Sequence, residues 1–470
     1  MAEPRPSVAI VGGGIAGLTA AWTLAKRGVP FVLLEASPRF GGVIRTESAG
    51  GFLLEAGPDS ILALKPEGVA LCRELGLAER LIPTHPEKRA VYVLHRRRLH
   101  ALPEGMQLGV PTRIAPFVSS RLFSWRGKLR MALEVLIPAR RDSNDESIAS
   151  FLRRRFGSEA VARLGEPLLA GIHAGDPERL SIAATFPRFV ALEARHGSLI
   201  RGLRAARRPS TAPAAAFVSL EGGLEELVAA LVGRLPGPAL RTRAAARAVT
   251  RTESGFAVAL DGGERVAAGG VILALPAPRA AALLRPWLEP VAATLAGLRF
   301  ASSATVALGY RREDVAHPLD GYGLVVPATE GLRSAALSFV STKFPGRAPA
   351  GHVLLRGFVG GTRDPGVLDL GDAALIDLVR DEMRGALGLR GDPVLARVYR
   401  WPEATPQMEV GHAGRIDAVE RGLAQVPGLS LCGAGLRGVG IPDVVADATR
   451  AAERAAQLYS REEARCAVQS

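Results

Sequence analysis

Three glycines at fixed spacing constrain this chain more than any other feature in it. Gly12-Gly13-Gly14-Ile15-Ala16-Gly17 stands between an apolar run, Val8 to Val11, and a segment with helical spacing, Ile15 to Lys26, that stops at Gly28. Gly12 permits the tight turn out of the strand, Gly14 lets the backbone approach a pyrophosphate, and Gly17 lets the helix pack close. The helix N-terminus then stabilises the phosphate charge. Phe31 to Ala36 reads as the next strand, which makes a βαβ unit with Glu35 eighteen residues after Gly17. A carboxylate there accepts hydrogen bonds from ribose hydroxyls and repels a 2′-phosphate. The opening of the chain is therefore expected to hold a dinucleotide through Gly12, Gly13, Gly14, Ile15, Ala16, Gly17 and Glu35.

With 470 residues the chain has room for two to four structural units. Two later runs have the same buried-strand character, Val271 to Ala277 and Leu429 to Gly435, the second followed by a helix from about Asp443 to Leu458. One nucleotide-binding sheet supplied from the start, middle and end of the chain is expected. The fold class is α/β: a Rossmann-like domain of the glutathione-reductase and amine-oxidase type at 1–87, 206–295 and 411–470. Into it are set a mostly helical, basic, membrane-binding insertion at 88–205 and an α+β substrate domain at 296–410. The strand-like runs at Thr305 to Gly309, Gly323 to Pro327, Ala336 to Val340 and Val353 to Val359 belong to the last.

Charge is concentrated. The chain carries 59 Lys and Arg against 46 Asp and Glu. Twelve basic residues against two acidic ones lie between Lys88 and Arg141, interleaved with Phe117, Val118, Leu122, Phe123, Trp125, Leu129 and Leu136. Such a mixture suits an anionic membrane surface or an acidic ligand, and equally a solvated basic face over an ordinary core. No zinc finger, RNP-like stretch or basic zipper accompanies it, so nucleic acid is not expected as a partner. The three cysteines, Cys72, Cys432 and Cys466, form no CxxC pair, and no metal site is expected. Without an export-signal pattern or a long uncharged apolar run, a cytoplasmic protein held peripherally on the inner face of the cell membrane is expected.

Beyond Glu35 the sequence continues Arg39-Phe40-Gly41-Gly42-Val43 and Arg45, then Gly57-Pro58-Asp59-Ser60. This resembles the extended fingerprint of flavoproteins with an amine-oxidase-type fold, and it implies noncovalent FAD lying extended with its flavin ring far from the adenine. The resemblance adds Arg39, Gly42, Val43, Gly57, Pro58, Asp59 and Ser60 to the cofactor site. Near the C-terminus, Leu431-Cys432-Gly433-Ala434-Gly435 and Val439-Gly440-Ile441 resemble the segment that faces the flavin's pyrimidine end, which adds Ala434, Val439, Gly440 and Ile441. Ala246 stands near a valine whose backbone holds the adenine in such proteins. Pro442-Asp443 departs from the usual Asn-Asp.

The middle of the chain resembles the protoporphyrinogen oxidase family. The likeness rests on Gly171-Ile172-His173-Ala174-Gly175-Asp176-Pro177, Glu193-x2-His196-Gly197-Ser198, Leu220-Glu221-Gly222-Gly223-Leu224, Gly357-Phe358-Val359-Gly360-Gly361 and Pro406-Gln407, in shared order over nearly the whole chain. It implies oxidation of a porphyrinogen by flavin, O2 as the final acceptor with release of peroxide, and handover of the product to a chelatase. Protoporphyrinogen IX is the expected substrate, with coproporphyrinogen III as the alternative, and a non-enzymatic, prenyl-protein-binding member of the fold as an alternative of another class. By the same resemblance Arg89 binds a propionate, Val325 and Phe358 clamp the macrocycle, and the Gly175 backbone faces the ring's centre as the nearest thing to a catalytic group. His173 replaces an aromatic residue and either hydrogen-bonds the substrate or fills its bulk. Ser338 stands where a pocket wall is usually apolar.

Overall fold

A computed structural model of the chain describes residues 8–107, 110–142, 144–206 and 215–469. Five parallel strands form the first sheet, in the order Leu240–Arg241, Phe31–Leu34, Val8–Val11, Gly270–Leu273 and Leu429–Leu431. Its strands come from the start, middle and end of the chain, as the three apolar runs imply. A parallel sheet must be covered on both faces. On one face Val8, Ile10, Leu33 and Ile272 pack against the helices Ile15–Lys26 and Ile441–Gln469. On the other, Ala9, Val11, Val32, Leu34, Val271 and Leu273 pack against helices and the three-stranded sheet Ala246–Thr252, Gly255–Leu260 and Arg265–Ala268. The two covering helices meet through small residues, Ala20 and Ala21 on one and Ala448, Ala451, Ala452 and Ala455 on the other, all buried. The second of these helices runs well past the expected Leu458, to Gln469.

The second sheet has seven strands, in the order Leu395–Pro406, Phe300–Arg311, His352–Gly360, Ser334–Phe339, Gly321–Val325, Ala90–His95 and Arg98–Ala101. This alters one expected boundary. Residues 90–101 do not open the helical insertion; they form a hairpin on the edge of the large sheet, where Ala90 to Val93 run parallel to Gly321 to Val325. Interleaved basic and apolar residues there mark a strand with one solvated face. The triplet Arg96-Arg97-Arg98 lies at the hairpin's turn. Arg96 and Arg97 have φ of 52° and 59°, uncommon for residues with a side chain, and their amide N–H groups donate to the Glu330 carboxylate at 2.9 and 3.2 Å.

Helices begin at Ile114 and continue to Ala205. At their centre Arg155 and Glu134 are both fully buried. Arg155 Nε donates to Glu134 Oε1 at 2.8 Å, and Glu134 also accepts from Ser198 Oγ at 2.5 Å and from the Leu199 amide at 2.8 Å. Glu193 pairs with Arg154 and Arg155, and the Gly197 carbonyl accepts from Arg155 Nη2. The stretch Glu193-x2-His196-Gly197-Ser198 is therefore a structural motif: it closes the hydrogen bonds of a buried ion pair, which survives desolvation only when so satisfied.

Candidate active site

The glycine turn forms a cradle. Gly12 has φ of 107°, and a methyl group on Gly17 would stand 1.8 Å from the Gly12 carbonyl oxygen, so helix and strand meet backbone to backbone. On Gly14, by contrast, an added methyl would meet nothing nearer than the Gly42 Cα at 3.9 Å. Gly14 and Gly41 form a bridge, and the Gly41 amide donates to the Gly13 carbonyl at 2.8 Å. Among the described residues no side chain caps the helix that starts at Ile15. Its first free amides therefore face an open floor, the arrangement a diphosphate fills.

At the end of the next strand the half-buried Glu35 carboxylate accepts from the Gly13 amide at 2.6 Å and from the Ser37 amide at 2.8 Å. The Glu35 carbonyl also holds the Ala244 amide at 2.8 Å, which brings Ala246 to the same end of the cleft. Arg39 does not reach into the cleft. Its guanidinium is spent on the carbonyls of Phe40, Gly42 and Ile44 and on Glu225 at 3.5 Å, so it braces the Gly41–Gly42 turn. Val43, 43% exposed, forms the next part of the floor.

Gly57 must be glycine because a methyl there would fall 1.9 Å from the Val43 carbonyl oxygen. The turn Gly57-Pro58-Asp59-Ser60 thus continues the cleft from the cradle. It is held from beneath by residues far away in sequence. The Ala56 carbonyl accepts from Trp401 Nε1 at 2.8 Å, Thr305 Oγ1 at 3.2 Å and Arg356 Nη2 at 3.2 Å. Both Asp59 oxygens accept from Lys343 Nζ at 3.0 Å. Burial alone would raise the Asp59 carboxyl, but Lys343 and Arg356 more than offset it and hold it near 2. Ile441 and Ala434 pack in the same apolar cluster as Ile61, just beyond the Gly57–Ser60 turn, and Val439 and Gly440 lie between them in sequence. Gly435 is pressed against Pro406, Lys65 pairs with Asp443 at 2.5 Å, and the helix from Ile441 starts there.

On the seven-stranded sheet, Val325 pairs with Ala336 and Ala336 with Phe358. Val325 and Phe358 therefore line one wall with Ala336 between them, and do not grip a ring from two sides. The helix Glu166–His173 packs directly on this face: a methyl on Gly171 would lie 3.1 Å from Ala336 Cβ. His173 ends that helix, its ring edge-on to Phe186 at 6.0 Å. Burial pushes its imidazole down to about 4, so it is neutral near pH 7. Gly175 has a packing reason, since a methyl there would sit 2.5 Å from Gln407 Oε1 and 2.6 Å from Leu180. Gln407 is 4% exposed, donates through Nε2 to the carbonyls of His173 and Thr405 at 3.1 Å, and leaves Oε1 without a donor among the described residues. Ser338 sits on the row next to Phe358, opposite Arg356, its hydroxyl on the Tyr322 carbonyl at 3.3 Å. Arg89 is exposed just before the strand Ala90–His95 and has no ion-pair partner among the described residues. It stands four positions before Val93, the neighbour of Val325, which is about 13 Å along an extended chain.

Arg356, Lys343, Trp401 and Gln407 did not stand out as site residues in the sequence. Gln407 was visible only as part of a Pro-Gln pair; Arg356 and Trp401 act on backbone carbonyls and Lys343 on the Asp59 carboxylate, all far away in sequence, which leaves no local spacing to read. Among the described residues no group of His, Cys, Asp or Glu side chains is placed to hold a metal, and no helix is long and apolar enough to cross a membrane. Cys72 and Cys432 are buried free thiols.

The family model for flavin-containing amine oxidoreductases matches residues 15–456. The chain belongs to that family. It is thus a flavin oxidoreductase, and the diphosphate cradle, with Glu35 at one end and the Gly57 turn at the other, makes its cofactor FAD. The chain is 36% identical over 472 residues to the coproporphyrinogen III oxidase of Bacillus subtilis (strain 168), covering 98% of this chain and 99% of that one. It is 31% identical to the chloroplastic protoporphyrinogen oxidase 1 of Arabidopsis thaliana, covering 96% and 88%. A crystal structure from Exiguobacterium sp. 255-15, provisionally named a protoporphyrinogen oxidase, superimposes with a TM-score of 0.86 at 33% identity, covering 97% and 99%.

Proposed function

We propose that this flavin oxidoreductase is a porphyrinogen oxidase of heme biosynthesis and that it oxidises coproporphyrinogen III to coproporphyrin III with O2. The observation that carries the choice of substrate is the end-to-end likeness to the Bacillus subtilis enzyme. Protoporphyrinogen IX, the substrate expected from sequence, is the second reading, favoured by the likeness to the Arabidopsis enzyme. Bound FAD supplies the two-electron acceptor for a hydride from a bridge carbon and passes the electrons to O2 as peroxide. The protein's part is placement. The helix carrying Gly171 and His173 packs directly on Val325 and Ala336, so a macrocycle would lie along the edge that this helix shares with the half-buried Phe358 and not between the two. Neutral His173 presents no charge to the ring, and Arg89 at the strand's start offers a guanidinium fork to a propionate.

Oxygen consumption by purified protein, run in parallel with each porphyrinogen, tests the reading. Faster turnover of coproporphyrinogen is expected, a preference for protoporphyrinogen exchanges the two readings, and no turnover of either rejects both. Arg89→Ala should raise KM about ten- to a hundredfold at unchanged FAD content, whereas Arg97→Ala, at the far end of the strand, should not. Equal effects of the two reject a special role for Arg89.

The helical insertion presents Ile114, Trp125, Leu129 and Leu136 to solvent, each 64% exposed or more, beside exposed Arg113, Arg121 and Arg126. Lys128 lies 4.4 Å over the Trp125 ring. An apolar ridge rimmed by arginines suits the interface of an anionic bilayer, and we take it as a peripheral membrane anchor. A product handed along that surface would reach a chelatase without crossing bulk water.

A further inference from the structure

Arg356 lies in the middle of the strand His352–Gly360 and is 5% exposed. Its Nη2 donates to the carbonyls of Ala56 and Gly57, and its guanidinium carbon stands 5.0 Å from the centre of the Phe358 ring. Nε is buried without an acceptor among the described residues. The nearest carboxylate, Asp59, is already engaged through both oxygens by Lys343. Arg347, 1% exposed, likewise bonds, among the described residues, only the carbonyls of Glu221 and Leu220 and the Ser219 hydroxyl. Beneath the Gly57–Ser60 turn Lys343 and Arg356 thus share Asp59 and Glu55 with Arg347, whose further carboxylate neighbour, Glu226, is itself paired with Arg80. Burial pushes Glu55 up to about 7, so it carries only part of its charge at neutral pH. An uncompensated buried cation is costly, and proteins keep one where an opposite charge arrives during function.

Because Nε is sealed by protein atoms alone, no ligand reaches it, and the side chain acts through its field. Gly57 and Asp59 belong to the turn at the end of the cofactor cleft away from Glu35, the end expected to take the flavin ring, so the charge lies under that end and away from the cradle. We propose that Arg356 is a positioning charge that stabilises the negative charge the flavin ring acquires on reduction and so raises its reduction potential. The inference rests on the family's flavin, not on the porphyrinogen reading. FAD-loaded protein that oxidises no porphyrinogen would reject that reading and leave this one standing.

Arg356→Gln keeps an amide donor for the two carbonyls and removes the charge, and Arg356→Lys keeps the charge. The two-electron potential of the bound flavin, measured by equilibration with reference dyes, reads the field directly. The Gln variant should lose at least about tenfold in the reduction equilibrium constant, or about 30 mV, while the Lys variant retains most of it at equal FAD content. An unchanged potential in FAD-loaded Arg356→Gln overturns the proposal. If that variant does not retain FAD, Asp59→Asn decides: removing the neighbouring negative charge should raise the potential, and an unchanged or lowered potential overturns the proposal.

Discussion

The parallel sheet and the helical insertion treat the same amino acids in opposite ways. In the sheet, Ile10, Leu33, Ile272 and Leu273 are fully buried and the charged Glu35 stays at the edge, half-buried on two amide donors. In the insertion Arg155 and Glu134 are at 0% exposure while Trp125 and Leu136 are above 70%. The difference teaches that burial follows what a region must meet. The sheet meets only its own helices, so pattern and position agree. The insertion keeps an apolar core that includes Met131, Phe151, Phe156 and Leu199, but it also turns large apolar side chains outward and buries a satisfied ion pair inside.

The comparison breaks first, and most severely, at the cradle. Gly17→Ala forces a methyl into the Gly12 carbonyl and should abolish bound FAD, read as loss of the visible flavin absorbance of purified, folded protein. Retained FAD would mean that helix and strand can part without opening the diphosphate floor. In the insertion the corresponding breaking point is Glu134→Ala, which strands the buried Arg155 guanidinium. A loss of about 3–5 kcal/mol in unfolding free energy is expected. Replacing Glu134 and Arg155 together with Leu and Met should restore much of it, as urea titration of single and double variants would show.

A smaller effect sharpens the contrast from outside. Trp125→Ser with Leu129→Ser removes two exposed apolar side chains and should weaken binding to anionic vesicles by about 3 kcal/mol, roughly a hundredfold, with stability unchanged. A change in stability and none in flotation would make the ridge part of the fold and not an anchor. The smallest effect concerns pH. His173 titrates near 4 when folded and near its ordinary 6.5 when unfolded. Below about pH 6.5 the unfolded chain takes up a proton that the folded one refuses, so stability is present above that pH and lost as pH falls towards 4. By pH 5 the loss from this side chain is about 2 kcal/mol. In His173→Phe the difference in urea midpoint between pH 7.5 and pH 5 should shrink accordingly.

What could be read from the chain follows the same division. The cradle from Gly12 to Gly17 and the strand ending at Glu35 are local, and backbone geometry dictates both spacing and residue type, so the structure places them as expected. The edge of the insertion was not legible: residues 90–101 interleave Arg with Val and Leu, which reads as a basic apolar surface until Gly321 to Val325 supply the partner strand. Trp401, Lys343 and Arg356 were hidden for a related reason. Each works on a turn almost three hundred residues away or more, and nothing near them in sequence shows that the turn exists.

The order of the parallel sheet also bears on how the protein is made. Its central strands come from residues 8–11 and 270–273, and an edge strand and a covering helix come only from residue 429 onward. A chain emerging from the ribosome therefore exposes its glycine cradle and apolar strands long before their last partners exist. Such late, long-range closure folds slowly and leaves strand edges open meanwhile. The nascent protein is thus a candidate for chaperone capture throughout most of its synthesis. Pulse-labelled chains should become protease-resistant and FAD-binding only after the helix that begins at Ile441 has left the exit tunnel.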